Sequence, residues 1–298
     1  MTQTAAGEFP SAPRTLPELG TEVDWPDLTS AATVQDLLAA RPELGQFAEF
    51  ARFFAAVQQT TSPAPPRRTR AILVNAQPSG SFAELADGLD VAVRYEHISG
   101  DPSAAIEIGA ALADAEADAG TDLVVLAVPG GDLQTAAALV SAICGVEPVK
   151  AVARGGAAAS DPERWMAHVQ AVRDHRRVAM AHRYDAQGLA LALGEPALAL
   201  AAGFLLRAAA RRTAVVLDGL AALAAGVLAA DVTAPAGFWW LAADSPNEPA
   251  AQLACDRLDL APVLRLGTAL ADGTAGVLCV PILRTAVGQT GSSPVERQ

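Results

Sequence analysis

Residues 121–128 form an almost unbroken apolar run in a chain of 298 residues. A strand with this pattern is buried on both faces, and such strands occur mainly in parallel sheets that helices cover on both sides. Four other segments also resemble strands, and helical patterns lie between most of them. Strands that alternate with helices predict an α/β fold in which a largely parallel sheet is flanked by helices.

The pattern predicts a three-layer, Rossmann-like arrangement whose helices begin and end at recognisable signals. Asp101 can cap a helix that starts at Pro102, and Gly145 is a typical residue just beyond a helix end. The predicted strands cover residues 70–75, 91–95, 121–128, 214–218 and 238–243. The predicted helices cover residues 102–119, 133–144, 162–178, 195–210 and 220–230.

Composition shifts divide the chain into four parts. Residues 1–32 contain four prolines, so we expect a flexible N-terminal arm without regular elements. Residues 33–66 carry two amphipathic helical patterns and a proline-containing linker, and we assign them to a small helical subdomain. Residues 67–290 form the predicted α/β domain, and residues 291–298 a short tail.

Charge and cysteine usage restrict the partners and the compartment. The formal net charge of -12 disfavours binding to nucleic acid or to an anionic membrane. No run of about 18 apolar residues and no secretory signal is evident, which predicts a soluble chain. The three cysteines are far apart, so we expect a cytoplasmic protein with neither a disulfide framework nor a cysteine-based zinc site.

The ends of the predicted strands are the places to look for a ligand, because open α/β sheets bind ligands beyond the carboxyl ends of their strands. Segments 75–80, 129–134, 218–219 and 244–248 follow strand ends. Gly130 and Gly131 precede a predicted helix, where backbone N–H groups can hold a phosphate. A plain tight turn is an equally good interpretation, and Asp132 would bring a negative charge to a bound anion.

Asp272 is the candidate general base. It lies in a turn of small residues just before an apolar stretch that begins at Val277. A carboxylate held in such a turn can accept a proton. It can equally cap a helix that begins near Thr274.

Several motifs in the second half of the chain resemble one enzyme family. In order and spacing they are similar to the nicotinate-nucleotide:dimethylbenzimidazole phosphoribosyltransferase (CobT) family, over about residues 103–286. The residues that carry the resemblance are Gly194-Glu195-Pro196, Arg211-Arg212-Thr213, Asp218-Gly219, Trp239-Trp240, Asn247-Glu248-Pro249, Asp256-Arg257-Leu258 and Gly267.

The resemblance implies a fold and a reaction. Family members have a helix-flanked sheet with a small helical subdomain built from both chain ends, and they usually form homodimers. They move phosphoribose from nicotinate mononucleotide to a benzimidazole nitrogen, release nicotinate and need no metal or organic cofactor. Asp272 matches the family's catalytic glutamate, with a carboxylate that is one methylene, or about 1.5 Å, shorter.

The resemblance also implies substrate-binding residues, several of which depart from the family pattern. They are Gly130, Gly131, Thr135, Arg154, Gly155, His168, Asp218, Gly219, Ser245, Glu248 and Gly273. Asp132 is an added acid in the phosphate turn, and His168 stands where the family has a lysine that contacts phosphate. Asn75 begins a segment that replaces a Gly-Asp-His-Gly turn, and the segment before Ser103 is shorter than in the family.

The remaining histidines do not suggest a metal site. His168, His175 and His182 recur every seven residues, so on one helix neighbouring members would lie about 10.5 Å apart. Roles at the surface or in packing suit them better than metal binding.

Two hypotheses follow from the resemblance. In the first, the chain is a phosphoribosyltransferase with Asp272 as its base and with weak or altered activity. In the second, it is a non-catalytic homologue that pairs with an active paralogue as a heterodimer or serves as a regulatory subunit. Concurrent changes in the phosphate turn, the lysine and the Gly-Asp-His-Gly turn motivate the second.

Overall fold

A computed structural model describes residues 13–153 and 161–291. Its centre is a six-stranded sheet in which every neighbouring pair of strands is parallel, with the order β2-β1-β3-β4-β5-β6. The strands are β1 (Thr69–Val74), β2 (Val91–Glu96), β3 (Leu123–Ala127), β4 (Ala214–Asp218), β5 (Trp240–Asp244) and β6 (Pro262–Leu264). The prediction of a parallel sheet flanked by helices is confirmed.

Thirteen α-helices are present in the described part of the chain. They are α1 (Leu16–Thr21), α2 (Leu28–Leu38), α3 (Gln46–Gln58), α4 (Gly80–Gly88), α5 (Pro102–Asp118), α6 (Leu133–Ile143), α7 (Pro148–Ala151), α8 (Pro162–Met180), α9 (Ala186–Leu193), α10 (Pro196–Ala210), α11 (Gly219–Val232), α12 (Pro249–Leu258) and α13 (Thr274–Gly291). Short 3₁₀ helices cover Pro42–Leu44 and Ala234–Trp239. None of the described helices is both long enough and apolar enough to cross a bilayer.

The order of the strands creates one edge where their carboxyl ends meet, which we call the carboxyl edge. The chain runs from β1 outward to β2 and then returns to place β3 on the other side of β1. Ligands of open α/β sheets bind at such a reversal, beyond the carboxyl ends. Asn75 and Gly130 follow the two strands on either side of it.

Helix α13 connects the sheet to the N-terminal helices. It contacts five of the six strands and also packs against α3. On the sheet, α11 contacts β3, β4 and β5. Helices from near both ends of the chain therefore come together, as the resemblance implied, while the predicted domain boundaries remain a prediction.

The prediction of a flexible arm over residues 1–32 is wrong from residue 13 onward. Helix α1 begins with a capping box in which Thr15 and Glu18 satisfy each other's backbone N–H groups. Leu16 and Leu19 are fully buried. The prolines do not prevent this helix, because Pro17 lies in its first turn, where no N–H donor is needed.

Several predicted elements begin in different places, and six elements were not predicted. The predicted strand 238–243 starts at Trp240, because residues 234–239 form a 3₁₀ helix, and α11 is longer than predicted. The missed elements are α1, α4, α7, α9, α12 and β6. The strand β6 is only three residues long, too short to show an alternating pattern.

Candidate functional site

Asp218 is the most deeply buried carboxylate at the carboxyl edge. It ends β4, and its Oδ2 accepts a hydrogen bond of 2.9 Å from the backbone N–H of Gly276 in α13. Burial raises the pKa of Asp218 to about 6, and the negative charges of Asp272 and Asp244 contribute to this rise. The backbone N–H groups of Gly276 and Gly273 act in the opposite direction. Asp218 therefore fixes the first turn of α13 to the end of β4.

The turn that carries Asp272 is pressed tightly into this edge. Gly219 has a φ of +85°, and a Cβ there would overlap the side chain of Ala271. Gly273 has a φ of +96°, and a Cβ there would lie 2.6 Å from Cδ2 of Leu73. Only glycine fits both requirements, a left-handed backbone and no side chain. The backbone and the packing of the turn therefore require glycine at both positions.

Asp272 acts as a helix cap in the structure. Its Oδ1 accepts a hydrogen bond of 2.9 Å from the backbone N–H of Thr274, the first residue of α13. The capping interpretation is therefore confirmed. Among the described residues its Oδ2 accepts no hydrogen bond, so one oxygen of the half-buried carboxylate is free to take a proton.

The carboxylate of Asp244, at the end of β5, is hydrogen-bonded to a second loop. Four backbone N–H groups and one hydroxyl donate to it, at 2.7 to 3.3 Å, and they come from Ser245, Leu266, Gly267 and Thr268. Burial raises the pKa of Asp244, but these donors together outweigh burial and hold it below its usual value. The predicted contact residue Ser245 is part of this loop.

The turn at Gly130 and Gly131 differs from a phosphate-binding turn because a carboxylate of the chain caps the helix that follows, α6. Asp132 is the N-cap of α6, and its Oδ1 accepts a 2.8 Å hydrogen bond from the N–H of Gln134. The hydroxyl of Thr135 donates to the other oxygen of Asp132 at 2.8 Å. A carboxylate of the chain itself therefore occupies the donors that a phosphate would use.

Two more titratable groups lie beside this turn. Nδ1 of His175, in α8, is 2.8 Å from the hydroxyl oxygen of Thr135. Burial raises the pKa of Glu195. The N–H groups of Ala197 and Asp132 oppose this rise, and the negative charge of Asp132 adds to it. Asp132, Thr135, His175 and Glu195 form a group that we call the α6 cap cluster.

Sequence reasoning missed most of the α6 cap cluster. It recognised the negative charge of Asp132 but assigned Thr135 to the ligand, whereas the buried hydroxyl of Thr135 is already bonded. His175 is 40 residues further along the chain. An acid at an N-cap with a hydroxyl three residues later is the signal that could have predicted the local part.

The structure brings together some of the predicted site residues but not all of them. Asp218, Gly219, Asp272 and Gly273 meet at the end of β4. Glu248 is the half-buried N-cap residue of α12, and burial raises its pKa. His168 lies two helical turns from His175 on α8, about 10.5 Å along the axis. Arg154 and Gly155 lie outside the described residues.

The described residues contain no group of three or more His, Cys, Asp or Glu side chains that could hold a metal ion. The carboxylates of the carboxyl edge are directed at backbone N–H groups instead. The expectation that no metal or organic cofactor is needed remains a prediction.

Comparison with known proteins identifies the family. Residues 100–291 match a family model described as "Phosphoribosyltransferase". The chain belongs to this family, the CobT phosphoribosyltransferases. Two curated relatives are nicotinate-nucleotide–dimethylbenzimidazole phosphoribosyltransferases. The one from Streptomyces avermitilis is 40% identical over 195 residues, and the one from Mycobacterium avium is 39% identical over 204 residues.

The match covers 65% and 68% of this CobT-family chain but only 52% and 58% of those two relatives. The chain thus spans little more than half of their length. The crystal structure of CobT from Thermus thermophilus has the same fold, with a TM-score of 0.75 at 20% sequence identity. That alignment covers 90% of this chain and 97% of the other.

Proposed function

We propose that this CobT-family chain transfers phosphoribose from nicotinate mononucleotide to a benzimidazole-type base, with Asp272 as the general base. The observation that carries the proposal is the free Oδ2 of Asp272 at the carboxyl edge, on a turn that Asp218 fixes to the sheet. Family membership and the names of the two curated relatives support the choice of substrates.

The proposed reaction is a single displacement at the ribose C1′. One nitrogen of the benzimidazole attacks C1′ while Oδ2 of Asp272 accepts the proton from the other ring nitrogen. The bond from C1′ to the pyridinium nitrogen breaks, and its electron pair leaves with nicotinate. The turns that begin at Gly130 and Ser245 would flank the donor, together with Gly219 and Glu248.

The test separates the two roles of Asp272. Asp272→Asn keeps an acceptor for the N–H of Thr274 but cannot take a proton, so nicotinate release should fall by about 100-fold or more while the melting temperature stays unchanged. Nicotinate release is followed by chromatography with nicotinate mononucleotide and 5,6-dimethylbenzimidazole. Asp27→Asn makes the same change at the N-cap of α2, which packs against α3 rather than at the carboxyl edge, and should leave turnover intact.

The outcome that would contradict the proposal is equally definite. If the wild-type chain releases no nicotinate with any of a broad panel of bases, the chain is not an enzyme of this type. If Asp272→Asn turns over like the wild type, another group is the base.

A second function, that of a non-catalytic partner or regulatory subunit, is favoured by the α6 cap cluster. Asp132 fills the helix terminus that a phosphate would need, and Glu195 adds a second acid nearby. Titration calorimetry with nicotinate mononucleotide separates the two functions. Heat of binding supports the enzyme. If there is none, and a full-length family enzyme gains or loses activity when mixed with this chain, the regulatory role is supported.

The assembly that we propose is a homodimer for the enzyme and a heterodimer with a family paralogue for the regulatory subunit. Native mass spectrometry distinguishes them, since the monomer has a mass of 30.4 kDa. We place either form in the cytoplasm, on the evidence of three widely spaced cysteines.

A further inference from the structure

His175 brings a free ring nitrogen to the start of α6. Its Nδ1 lies 2.8 Å from the hydroxyl oxygen of Thr135, which is in the first turn of that helix. Its Nε2 is open to solvent and makes no hydrogen bond with any described residue, although the side chain as a whole is half-buried. This nitrogen is therefore accessible to a ligand that lies at the turn of Gly130 and Gly131.

The hydrogen bonds of Thr135 determine which nitrogen of His175 carries a proton. The hydroxyl of Thr135 has a single hydrogen, which it donates to Oδ2 of Asp132 at 2.8 Å. A carboxylate can only accept, so the hydroxyl oxygen is left to accept from Nδ1–H of His175. In the neutral ring Nε2 is then an acceptor, and it becomes a donor only when the ring gains a second proton.

The charged groups linked to His175 are carboxylates. The helices that pack closely against α8 are α6, α7 and α9. His175 is connected through Thr135 to Asp132, and Glu195 lies beside Asp132. A phosphate that approaches this end of α6 therefore needs a positive charge to offset both acids. The charged residues at the other two helices make no hydrogen bond or ion pair with His175 in the described part of the chain, and they are Glu147, Lys150 and Asp185.

His168 matches the lysine that contacts phosphate in the family, but it lies at a different place on α8. It is two helical turns before His175, about 10.5 Å along the axis. The ring that reaches Thr135 in the first turn of α6 is that of His175. Of the two histidines, His175 is therefore the one beside the turn that the resemblance assigns to the phosphate.

We propose that protonated His175 binds the phosphate of nicotinate mononucleotide through Nε2–H, and that binding takes up one proton. The inference rests on the proposed function, which places the nucleotide at the turn of Gly130. The proton passes from solvent to Nε2, and no covalent bond of the nucleotide changes in this step. His175 thus supplies, from another position on α8, the positive charge that the resemblance assigns to a lysine.

Proton uptake makes the affinity depend on pH in a defined direction. Above pH 7 the phosphate is a dianion, because its second pKa is about 6, and a typical histidine is neutral. The dissociation constant of nicotinate mononucleotide should therefore rise by up to about tenfold for each pH unit between pH 7 and pH 9. Titration calorimetry of the full chain at pH 8, in two buffers that differ in ionisation enthalpy, should give an uptake of about one proton.

Two histidine variants separate binding from packing. The side-chain NH₂ of asparagine can replace Nδ1–H, so His175→Asn keeps a hydrogen bond to Thr135 and removes Nε2. At pH 7 it should weaken nucleotide binding by about tenfold or more, the value of a hydrogen bond to a charged group. The pH dependence and the proton uptake should disappear, and the melting temperature should not change. His168→Asn is the matched control, because His168 is also half-buried on α8, and it should alter none of these values.

Three results would overturn the inference and leave the proposed enzyme standing. In the first, the wild type binds the nucleotide equally well at pH 7 and pH 9. In the second, His175→Asn binds like the wild type. In the third, His168→Asn loses the affinity instead. If the wild type binds no nicotinate mononucleotide at any pH, the inference and the proposed function fail together.

A second variant keeps the test decisive if His175→Asn unfolds. The amide of glutamine reaches the position of Nε2, so His175→Gln offers the phosphate an uncharged N–H donor. It should bind nicotinate mononucleotide without proton uptake and with the same affinity at pH 7 and pH 9. A pH dependence equal to that of the wild type would show that the proton is taken up by another group.

Discussion

Each carboxylate at the carboxyl edge accepts hydrogen bonds from backbone N–H groups and does not pair with another carboxylate. Asp218, Asp244, Asp272 and Asp132 each accept from the backbone at the start of a helix or a loop. A carboxylate in such a place replaces a bound anion and fixes the loop. The edge is therefore well ordered without a ligand, and a phosphate has to compete for the donors of α6.

Asp218 makes stability depend on pH in a defined direction. Its folded pKa of about 6 exceeds its unfolded value, so ionisation of the buried carboxyl destabilises the folded state. This loss of stability is absent below about pH 4 and complete above about pH 6. Asp218→Asn keeps the acceptor for Gly276 and should be more stable than the wild type at pH 8, by up to about 3 kcal/mol. Urea unfolding at pH 5 and pH 8 measures the change.

Asp244 is the control with the opposite sign. Its pKa is held below the usual value, so it stabilises the fold at neutral pH and this contribution is lost as the pH falls. Asp244→Asn should therefore be less stable than the wild type at pH 8. If both variants shift in the same direction there, burial is not what governs Asp218.

Asp132 should control the affinity for a phosphate. Asp132→Ser keeps a side chain that can cap α6 and removes the negative charge, so nicotinate mononucleotide should bind about tenfold more tightly. Titration calorimetry measures the affinity. Asp27→Ser makes the same change at the start of α2, which packs against α3 rather than at the carboxyl edge, and should have no effect. An unchanged affinity for Asp132→Ser would mean that the phosphate binds elsewhere.

At the level of elements, α1 is held by both apolar burial and ion pairs. Leu16 and Leu19 are fully buried, and Arg14 just before the helix pairs with Glu107 of α5 at 2.9 Å. Arg207 of α10 pairs with Glu22, just after the helix, and with Asp114 of α5. The segment from residue 13 therefore belongs to the core.

Removal of one of these apolar contacts should measure how firmly α1 is held. Leu16→Ala should lower the free energy of unfolding by about 2 to 5 kcal/mol, as for other fully buried leucines. Leu37→Ala is the control, because Leu37 is 65% exposed, and it should change stability by less than about 0.5 kcal/mol. Chemical denaturation gives both values. Equal effects would mean that α1 is loosely attached.

At the scale of the whole molecule, the parallel sheet was predictable because its strands are apolar runs that end at polar turns. The end of β4 at Asp218 followed from the sequence alone, since the apolar run stops at Asp218-Gly219. The turn of Asp272 was also recognised. Helix α1 is harder to predict, because its prolines suggest an irregular chain and only the capping box of Thr15 and Glu18 indicates a helix.

Long-range pairings could not be read from the sequence. Thr135 and His175 lie on different helices, and nothing in their local patterns indicates that α6 and α8 bring them within 2.8 Å. A cavity that Trp240 lines likewise needs residues from α2, α3 and the segment before β6. Such features depend on tertiary packing, whereas strand ends and helix caps depend on neighbouring residues.

The two outermost strands affect how the chain behaves at high concentration. An exposed strand edge can pair with the edge of another molecule and start aggregation. Here β6 has only three residues, and β2 carries the Arg94–Glu96 ion pair near its carboxyl end. Short or charged edges discourage such pairing. Despite its apolar composition, the chain should thus resist the growth of intermolecular sheets.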